Sequence, residues 1–325
     1  LRDASVEVRT RSLALAMAHH KVCDALRRSG IPALPLKGGP DLSNKLYGDL
    51  GLRQCKDLDL VLRPENLAGA VVCLESMGYA ATSPVWMSSR PHRWLAIKVL
   101  RDFSLFDPVS GIEIELHHRF ERIPDPSREA LWWDGYLAAG TGLSVAEFVF
   151  LCVHGASHCW TRMKWLGDIA AWVDRHPQAF VECREFAARQ ELVPVLDHVA
   201  VLLRELFGIE PDGFADRRLD SKLVAGQVGF CQERMADPDF SGEFSFRRAD
   251  VRIRMDLFRQ SLVKRRAPLG QRLCHVALSI LVRPKDVEAL GRHWGWLFVL
   301  PFYRAGNMLG RYLPLLRFAA KPAKS

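Results

Sequence analysis

The first 125 residues combine helical and strand-like hydrophobic patterns. Apolar residues recur every three or four positions over residues 6–29, which predicts a helix. A short apolar run at 33–36 leads into a Lys-Gly-Gly-Pro turn, and both features are typical of a strand and its exit. Two further apolar runs, at 58–62 and 112–117, are interrupted by acidic residues. This order predicts an α/β sheet whose edge carries the acidic residues.

From residue 126 onward the hydrophobic pattern is helical. The predicted helices of this part are 145–156, 163–173, 183–189, 193–207 and 251–264. We therefore predict two domains, an α+β domain over residues 1–125 and a mainly α-helical domain over residues 126–325. The end of the second domain interleaves Arg and Lys with aromatic residues. Such a stretch forms a solvated surface, a docking face for an acidic substrate, or a peripheral contact with a membrane.

Composition narrows the class of protein. The chain has 325 residues, 49% of them hydrophobic and 25% charged, as in ordinary globular proteins. Its formal charge of +8 favours anionic partners such as nucleotides. The 8 cysteines show no CxxC spacing, which indicates reduced thiols and a cytoplasmic location. The most apolar stretch, 294–302, is shorter than the roughly 20 residues of a membrane span, so no transmembrane segment is predicted.

Acidic residues recur at alternate positions in two predicted strands. Asp57 and Asp59 are two residues apart, so on a strand both side chains leave the same face. Glu113, Glu115 and His117 share a face of another strand in the same way. If these strands are neighbours, three carboxylates converge, and Mg²⁺ is the cation that such hard oxygen ligands favour. The alternative is a solvated strand edge, and Glu113 is the alternative to Glu115 as the third acid.

A second group of polar residues lies in the predicted helical domain. His154 and His158 are four residues apart and share a helix face, which permits a zinc site, although no third ligand stands at a suitable spacing. Lys164 and Asp168 have the same spacing and predict a helix-stabilising ion pair. The more ordinary interpretation is that these four residues pack the two domains together or line a pocket for an acceptor.

Several short motifs occur in a fixed order along the chain. They are Leu36-Lys37-Gly38, Arg53, Asp57-Leu58-Asp59-Leu60-Val61, Gly78-Tyr79, Glu115-Leu116-His117, Cys152 to Trp160, and Lys164 to Ile169. In this order they resemble the nucleotidyltransferase superfamily with the DNA polymerase β-type fold, and in particular a bacterial branch of it. The resemblance is detailed over the first half of the chain and loose over the rest. It implies that residues 1–125 form an α+β catalytic domain of the polymerase β type, with a mixed sheet flanked by helices.

The resemblance also implies a set of site residues. The expected catalytic residues and ligands of two Mg²⁺ ions are Asp57, Asp59 and Glu115, with Glu115 as the general base. The expected nucleotide-binding residues are Lys37, Gly38, Gly39 and Arg53. A structural role for Arg53, holding down the acidic strand, is the alternative. The expected acceptor pocket comprises His117, His154, His158, Lys164 and Asp168.

The activity implied is transfer of a nucleoside monophosphate from a nucleoside triphosphate, with ATP as the expected donor, to a hydroxyl or phosphate group. The expected acceptor is a small molecule, a sugar or a peptide natural product, and an RNA acceptor is the less favoured option. Two departures from the superfamily motivate a different hypothesis, a catalytically silent nucleotide-binding module. The turn has Gly39 where the superfamily has Ser, and the third acid is Glu115 where Asp is commoner. Because the acids are expected at a charged site and not in the core, Asp57→Asn or Asp59→Asn is expected to abolish transfer and to leave the fold intact.

Overall fold

The structure, a computed structural model, describes most of the first 213 residues and part of the remainder. The described residues are 2–37, 39–121, 125–138, 144–213, 222–236 and 284–307, together with 270, 277 and 282. The strands are β1 (Ala33–Pro35), β2 (Leu58–Leu62), β3 (Ala80–Ala81), β4 (Asp102–Phe106) and β5 (Glu113–His117). They form one mixed sheet in the order β1-β2-β5-β4-β3, in which β4 is antiparallel to both β5 and β3.

Helices make up most of the remaining described chain. Those of the first part are α1 (Arg2–Arg28), α2 (Asp41–Tyr47), α3 (Leu67–Ser76) and α4 (Arg90–Val99). Those of the later part are α5 (Pro126–Leu137), α6 (Val145–Ser157), α7 (Met163–Arg175), α8 (Ala179–Arg189), α9 (Val193–Phe207), α10 (Lys222–Ala236) and α11 (Pro284–Leu290). The predicted α+β fold, a mixed sheet flanked by helices and followed by a helical region, is confirmed.

The chain divides into two compact units. The first comprises the described residues of Leu1–Lys21, Leu34–Asp59 and Pro124–Ala267, and the second those of Val22–Ala33, Leu60–Ile123 and Pro268–Ser325. The division falls between Asp59 and Leu60, inside β2, so that this strand belongs to both units. The predicted domain boundary between residues 125 and 126 stays a prediction.

The core of the first unit is built from aromatic side chains of α5 to α8. The ring of Phe148 on α6 meets Trp172 and Phe180 edge to face, with ring centroids 5.2 and 5.4 Å apart. Trp132 on α5 meets Phe150 in the same way at 5.7 Å. Such pairs add about 0.5–1.5 kcal/mol each beyond the burial of their apolar surface. The helical hydrophobic pattern of this region therefore reflects a packed core.

Two of the helices predicted in the later part of the chain have nearly the same bounds in the structure. The helix predicted over 193–207 is α9, and that predicted over 145–156 is α6. The helix predicted over 251–264 lies outside the described residues. Pro40 takes the N-cap position of α2, and Asp41 begins the helix. An aspartate inside the first turn still favours the helix, because its charge complements the helix dipole.

None of the described helices has an apolar stretch long enough to cross a lipid bilayer.

Gly155 on α6 lies directly beneath the ring of Trp160. A Cβ atom at this position would lie 2.1 Å from the ring, and Trp160 is fully buried in left-handed backbone with φ +52°. We expect Gly155→Ala to lower the free energy of unfolding by about 1–3 kcal/mol, because the ring must move. Urea unfolding measures this loss. Gly226→Ala on α10 is the matched control, since open space surrounds that position and the alanine should stabilise the helix slightly.

His198 on α9 makes stability depend on pH. It is fully buried, its Nε2 lies 3.7 Å from the sulfur of Cys231, and burial lowers its pKa to about 3. Between that pKa and the unfolded value near 6.5, the unfolded chain binds a proton that the native chain does not. Stability is therefore lost as the pH falls below about 6.5, and His198 contributes about 2 kcal/mol of loss by pH 5. Urea unfolding at several pH values should show a shallower pH dependence for His198→Gln, whereas the exposed His176→Gln should match the wild type.

Candidate active site

Strand β5 presents polar side chains on one face and apolar side chains on the other. Ile114 and Leu116 are fully buried, whereas the side chain of Glu115 is 26% exposed. The antiparallel register with β4 places Glu115 opposite Ser104 and His117 opposite Asp102. The alternation predicted for residues 113–117 is thereby confirmed.

Strand β2, the neighbour of β5, carries an acid in a buried position. All five of its residues are buried, and Asp59 is only 7% exposed. A carboxylate withdrawn from water to this extent requires a cation or several hydrogen-bond donors nearby. Asp57 precedes the first residue of β2 and is half-buried. The sequence pattern predicted both aspartates on one strand. In the structure only Asp59 lies in β2.

Three potential metal ligands come together at this point. One ligand atom from each of Asp59, Glu115 and His117 lies within 4.8 Å of the other two. Nε2 of His117 is 3.3 Å from Oε2 of Glu115. Among the described residues this is the one such group of three or more, and Asp57 and the pair His154 and His158 do not belong to it. Two carboxylates and an imidazole form a donor set that fits a divalent cation.

Lys37 provides a cation beside Asp59. Its Nζ donates to Oδ1 of Asp59 at 2.5 Å, and the two side chains are only 15% and 8% exposed. Sequence reasoning assigned Lys37 to the nucleotide phosphates. In the structure its ammonium compensates the charge of a candidate metal ligand.

The turn after β1 positions Lys37. The backbone N–H of Leu36 donates to the carbonyl oxygen of Asp59 at 2.9 Å, which joins the start of the turn to β2. Lys37 and Gly39 both adopt left-handed backbone, with φ +56° and +52°. Gly38, a predicted nucleotide contact, lies outside the described residues. The left-handed conformation is unfavourable for lysine by roughly 1 kcal/mol, so other contacts of the turn must maintain it.

Arg53 is engaged by the helical part of its own unit. Its Nε donates to Oδ2 of Asp168 on α7 at 2.8 Å, and the two side chains are 7% and 1% exposed. The hydroxyl of Tyr47 donates to the other oxygen of Asp168 at 3.0 Å. Burial, followed by the charge of Asp168, raises the pKa of Tyr47. These contacts fix the chain between α2 and β2 and favour the structural role for Arg53.

Lys164 also holds this part of the chain. Its Nζ donates to the carbonyl oxygen of Gln54 at 2.8 Å, whereas its helix neighbour Asp168 pairs with Arg53. Burial, followed by the charge of Arg53, lowers the pKa of Lys164. The predicted ion pair within α7 is therefore replaced by contacts from α7 to the segment before β2.

His154 and His158 belong to a cluster of rings. Their centroids lie 4.6 Å apart, and the ring of Trp165 lies 5.1 Å from His154 and 5.0 Å from His158. The guanidinium carbon of Arg162 lies 5.6 Å from the centroid of Trp165. Both histidines are half-buried, so the cluster combines packing with partial access to solvent.

Two residues near the acids were missed by sequence reasoning. Asp102 on β4 has Oδ2 3.9 Å from Nδ1 of His117, the ring nitrogen opposite the one near Glu115. The alternation in β4 could have revealed Asp102, because Phe103 and Leu105 are buried on one face and Asp102 lies on the other. Tyr136 on α5 is the second: burial, then the charges of Glu147 and Asp59, raises its pKa, so it stays protonated. No local pattern places Tyr136 near Asp59.

A family model described as "Uncharacterised nucleotidyltransferase" matches residues 1–208, which include the sheet, the three clustered ligands and helices α5 to α9. The chain belongs to this nucleotidyltransferase family. No curated protein and no solved structure matches the chain. The match confirms the resemblance drawn from the motifs and the assignment to enzymes of the nucleotidyltransferase type.

Membership of this family indicates the reaction that the cluster of Asp59, Glu115 and His117 would serve. Nucleotidyl transfer uses a nucleoside triphosphate, whose negative charge must be compensated where the phosphates react. In this nucleotidyltransferase the buried Asp59, the half-exposed Glu115 and the buried His117 form a possible binding site for a divalent metal.

Proposed function

We propose that the protein transfers a nucleoside monophosphate from a nucleoside triphosphate to a hydroxyl or phosphate group of an acceptor and releases pyrophosphate. The proposed metal is Mg²⁺, with two ions, and the proposed donor is ATP. The convergence of Asp59, Glu115 and His117 carries this proposal, because it supplies a metal-binding donor set within a member of the nucleotidyltransferase family.

The proposed ligands are Asp59, Glu115 and His117, with Asp57 retained as the further ligand predicted from the sequence. When bound, divalent cations supply Lewis-acid stabilisation of the charge that develops on the reacting phosphate. Asp102 lies on the far side of His117 and is proposed to orient the imidazole, as carboxylates commonly do for histidine ligands.

Glu115 is proposed to accept the proton of the acceptor group. Its side chain is partly exposed, in contrast to that of Asp59, so that it lies within reach of an entering molecule. As the acceptor oxygen forms a bond to the α-phosphorus, the bond from that phosphorus to the oxygen bridging to the β-phosphorus breaks. The pyrophosphate leaves with that oxygen, and the proton of the acceptor passes to Glu115.

The turn after β1 is proposed to bind the triphosphate. Lys37 offers an ammonium, and Gly38 and Gly39 are retained as the predicted phosphate contacts, although the N–H of Gly39 donates to the carbonyl oxygen of Leu36 at 3.3 Å. Arg53 is proposed to act indirectly, because its contact with Asp168 fixes the segment that precedes the acidic strand. Its predicted direct contact with nucleotide is the weaker of the two roles.

The acceptor site is proposed from the ring cluster. Asp168 and Lys164 are engaged with Arg53 and Gln54, which leaves His154 and His158 as the members of the predicted pocket best placed to contact an acceptor. The proposed acceptor is a small molecule, a sugar or a peptide natural product. RNA is the alternative that the charge of +8 supports.

Incubation with Mg²⁺ and each α-³²P-labelled nucleoside triphosphate, with and without cell lysate as the source of acceptor, tests the proposal. We expect a labelled product and pyrophosphate in equal amounts. Chelation of the metal should abolish both products. The matched control is Asp174→Asn, which removes an exposed carboxylate of α7 and should retain the wild-type rate. Label transfer that persists after chelation would contradict the proposal.

A second candidate function is supported by the contact between Lys37 and Asp59. If this ion pair is permanent, Asp59 is not available to a metal ion. The protein would then bind nucleotide without catalysing transfer, as a catalytically silent module does. This candidate predicts binding of nucleotide with no pyrophosphate release under any acceptor condition. The same assay separates the two functions when nucleotide binding is measured in parallel by equilibrium dialysis.

A further inference from the structure

We infer that Lys37 is an internal cation that competes with the metal for Asp59 and is transferred to the triphosphate when metal and nucleotide bind together. This inference rests on the proposed function and adds a regulatory step to that site. Free metal would be bound weakly, and the metal–nucleotide complex would be bound well.

The ion pair lies at the candidate metal site itself. Nζ of Lys37 is 2.5 Å from Oδ1 of Asp59, a direct hydrogen bond between charged groups. A carboxylate oxygen of the same Asp59 belongs to the cluster with Glu115 and His117. A metal coordinated by this cluster would therefore lie close to the ammonium of Lys37. Two cations at one carboxylate repel each other, and the low exposure of both side chains limits screening by water and salt.

The backbone places Lys37 at this carboxylate. Leu36 is hydrogen-bonded through its N–H to the carbonyl oxygen of Asp59, so the residue after Leu36 is held beside the strand. Lys37 has a φ of +56°, which L-residues with long side chains rarely adopt. Strained backbone of this kind persists where surrounding contacts maintain it, and it often marks functional sites. The charged hydrogen bond to Asp59 is such a contact.

Displacement of the ammonium requires a new anionic partner for it. The side chain of Lys37 is 15% exposed, so it already reaches solvent, from which a triphosphate would enter. Phosphate oxygens accept hydrogen bonds from ammonium groups as carboxylates do. Metal binding alone leaves the ammonium without this partner, whereas the metal–nucleotide complex provides it. The two ligands should therefore strengthen each other's binding by the same factor.

Titration with Mn²⁺, followed by the electron paramagnetic resonance of the free ion, measures the competition without any need for turnover. We expect Lys37→Met to bind Mn²⁺ alone about tenfold more tightly than the wild type, because the competing charge is gone. Lys37→Arg should retain the weak binding of the wild type, because it keeps the charge. Lys45→Met, which removes a half-buried lysine of α2, is the matched control and should also bind as the wild type does.

The same titration in the presence of a non-hydrolysable ATP analogue measures the coupling. In the wild type the analogue should tighten Mn²⁺ binding by a larger factor than in Lys37→Met. A role of Lys37 in supporting the turn alone would weaken Mn²⁺ binding in both conditions. Such a result would overturn the inference.

Amine labelling of the wild-type protein provides a test that does not depend on the folding of any variant. Acetylation of Lys37 by a small reagent, followed by mass spectrometry, should become several-fold faster when Mn²⁺ is added, because the ammonium is released from Asp59. An unchanged rate of Lys37 acetylation in a wild-type protein that binds Mn²⁺ would contradict the inference.

The titrations also separate this inference from the proposed function. If Asp59→Asn binds Mn²⁺ as tightly as the wild type, the metal site is wrong, and both proposals fail. If Asp59→Asn loses Mn²⁺ binding while Lys37→Met matches the wild type, the metal site stands and the competition by Lys37 is refuted.

Discussion

Asp59→Asn should lower the rate of nucleotidyl transfer by about a thousandfold, since loss of a metal ligand removes several kcal/mol of transition-state stabilisation. Asparagine keeps the shape of the side chain but not the charge that holds a divalent cation. The measurement is the initial rate of label transfer at saturating Mg²⁺ and nucleotide. Asp174→Asn, on the exposed end of α7, should differ from the wild type by less than about twofold. A variant at position 59 with more than a tenth of the wild-type rate would refute the assignment of Asp59.

The same substitution should also destabilise the fold, contrary to the sequence-based expectation that the fold stays intact. Asp59 is buried and compensates the charge of Lys37, so Asp59→Asn leaves a largely buried ammonium without its carboxylate. Breaking one partner of such a pair costs about 3–5 kcal/mol when both groups are fully buried, and the 15% exposure of Lys37 reduces this value. The double variant Lys37→Met and Asp59→Asn should recover most of the stability and none of the activity. A destabilisation that remains in the double variant would show that the ion pair is not its cause.

The second large effect is expected at the contact between Arg53 and Asp168. Asp168→Asn should lower the free energy of unfolding by about 3–5 kcal/mol, because the guanidinium of Arg53 stays buried without its counter-ion. Denaturant unfolding followed by circular dichroism measures this loss. The amide oxygen of asparagine can still accept the hydrogen bond from Tyr47, but its amide nitrogen cannot accept the one from Arg53, so the change removes both the charge and that hydrogen bond.

A matched second variant tests the cause of this effect. Adding Arg53→Met to Asp168→Asn removes the uncompensated charge, and we expect it to restore at least half of the lost stability. Asp174→Asn on the same helix should change the free energy of unfolding by less than about 0.5 kcal/mol. Equal stability of Asp168→Asn and the wild type would contradict a stabilising role for the pair.

The sequence predicted those features that depend on local periodicity. Residues 193–207 have the apolar spacing of an amphipathic helix, and α9 has these bounds. Residues 113–117 alternate between apolar and polar side chains, and β5 shows the corresponding alternation of burial from Glu113 to Leu116, whereas His117 is buried. The order of the motifs along the chain also indicated the family, because the glycine turn, the acids and the downstream helix follow one another as in the nucleotidyltransferases that the chain resembles.

The remaining features depend on contacts between distant parts of the chain. Arg53 and Asp168 are 115 residues apart in sequence, and no periodicity relates them. His117 was assigned to an acceptor pocket, but the adjacency of β2 and β5 places its ring beside Asp59 and Glu115. The position of Asp57 differed for a local reason: β2 begins only at Leu58, so strand alternation does not extend to Asp57.

The most direct test of the central claim is an anomalous diffraction experiment on crystals of the wild-type protein grown with Mn²⁺ and a non-hydrolysable ATP analogue. We predict a manganese peak bonded to Asp59, Glu115 and His117, with the triphosphate of the analogue beside it. Nucleotide density with no manganese peak at these three side chains, or a peak at His154 and His158 instead, would contradict the account.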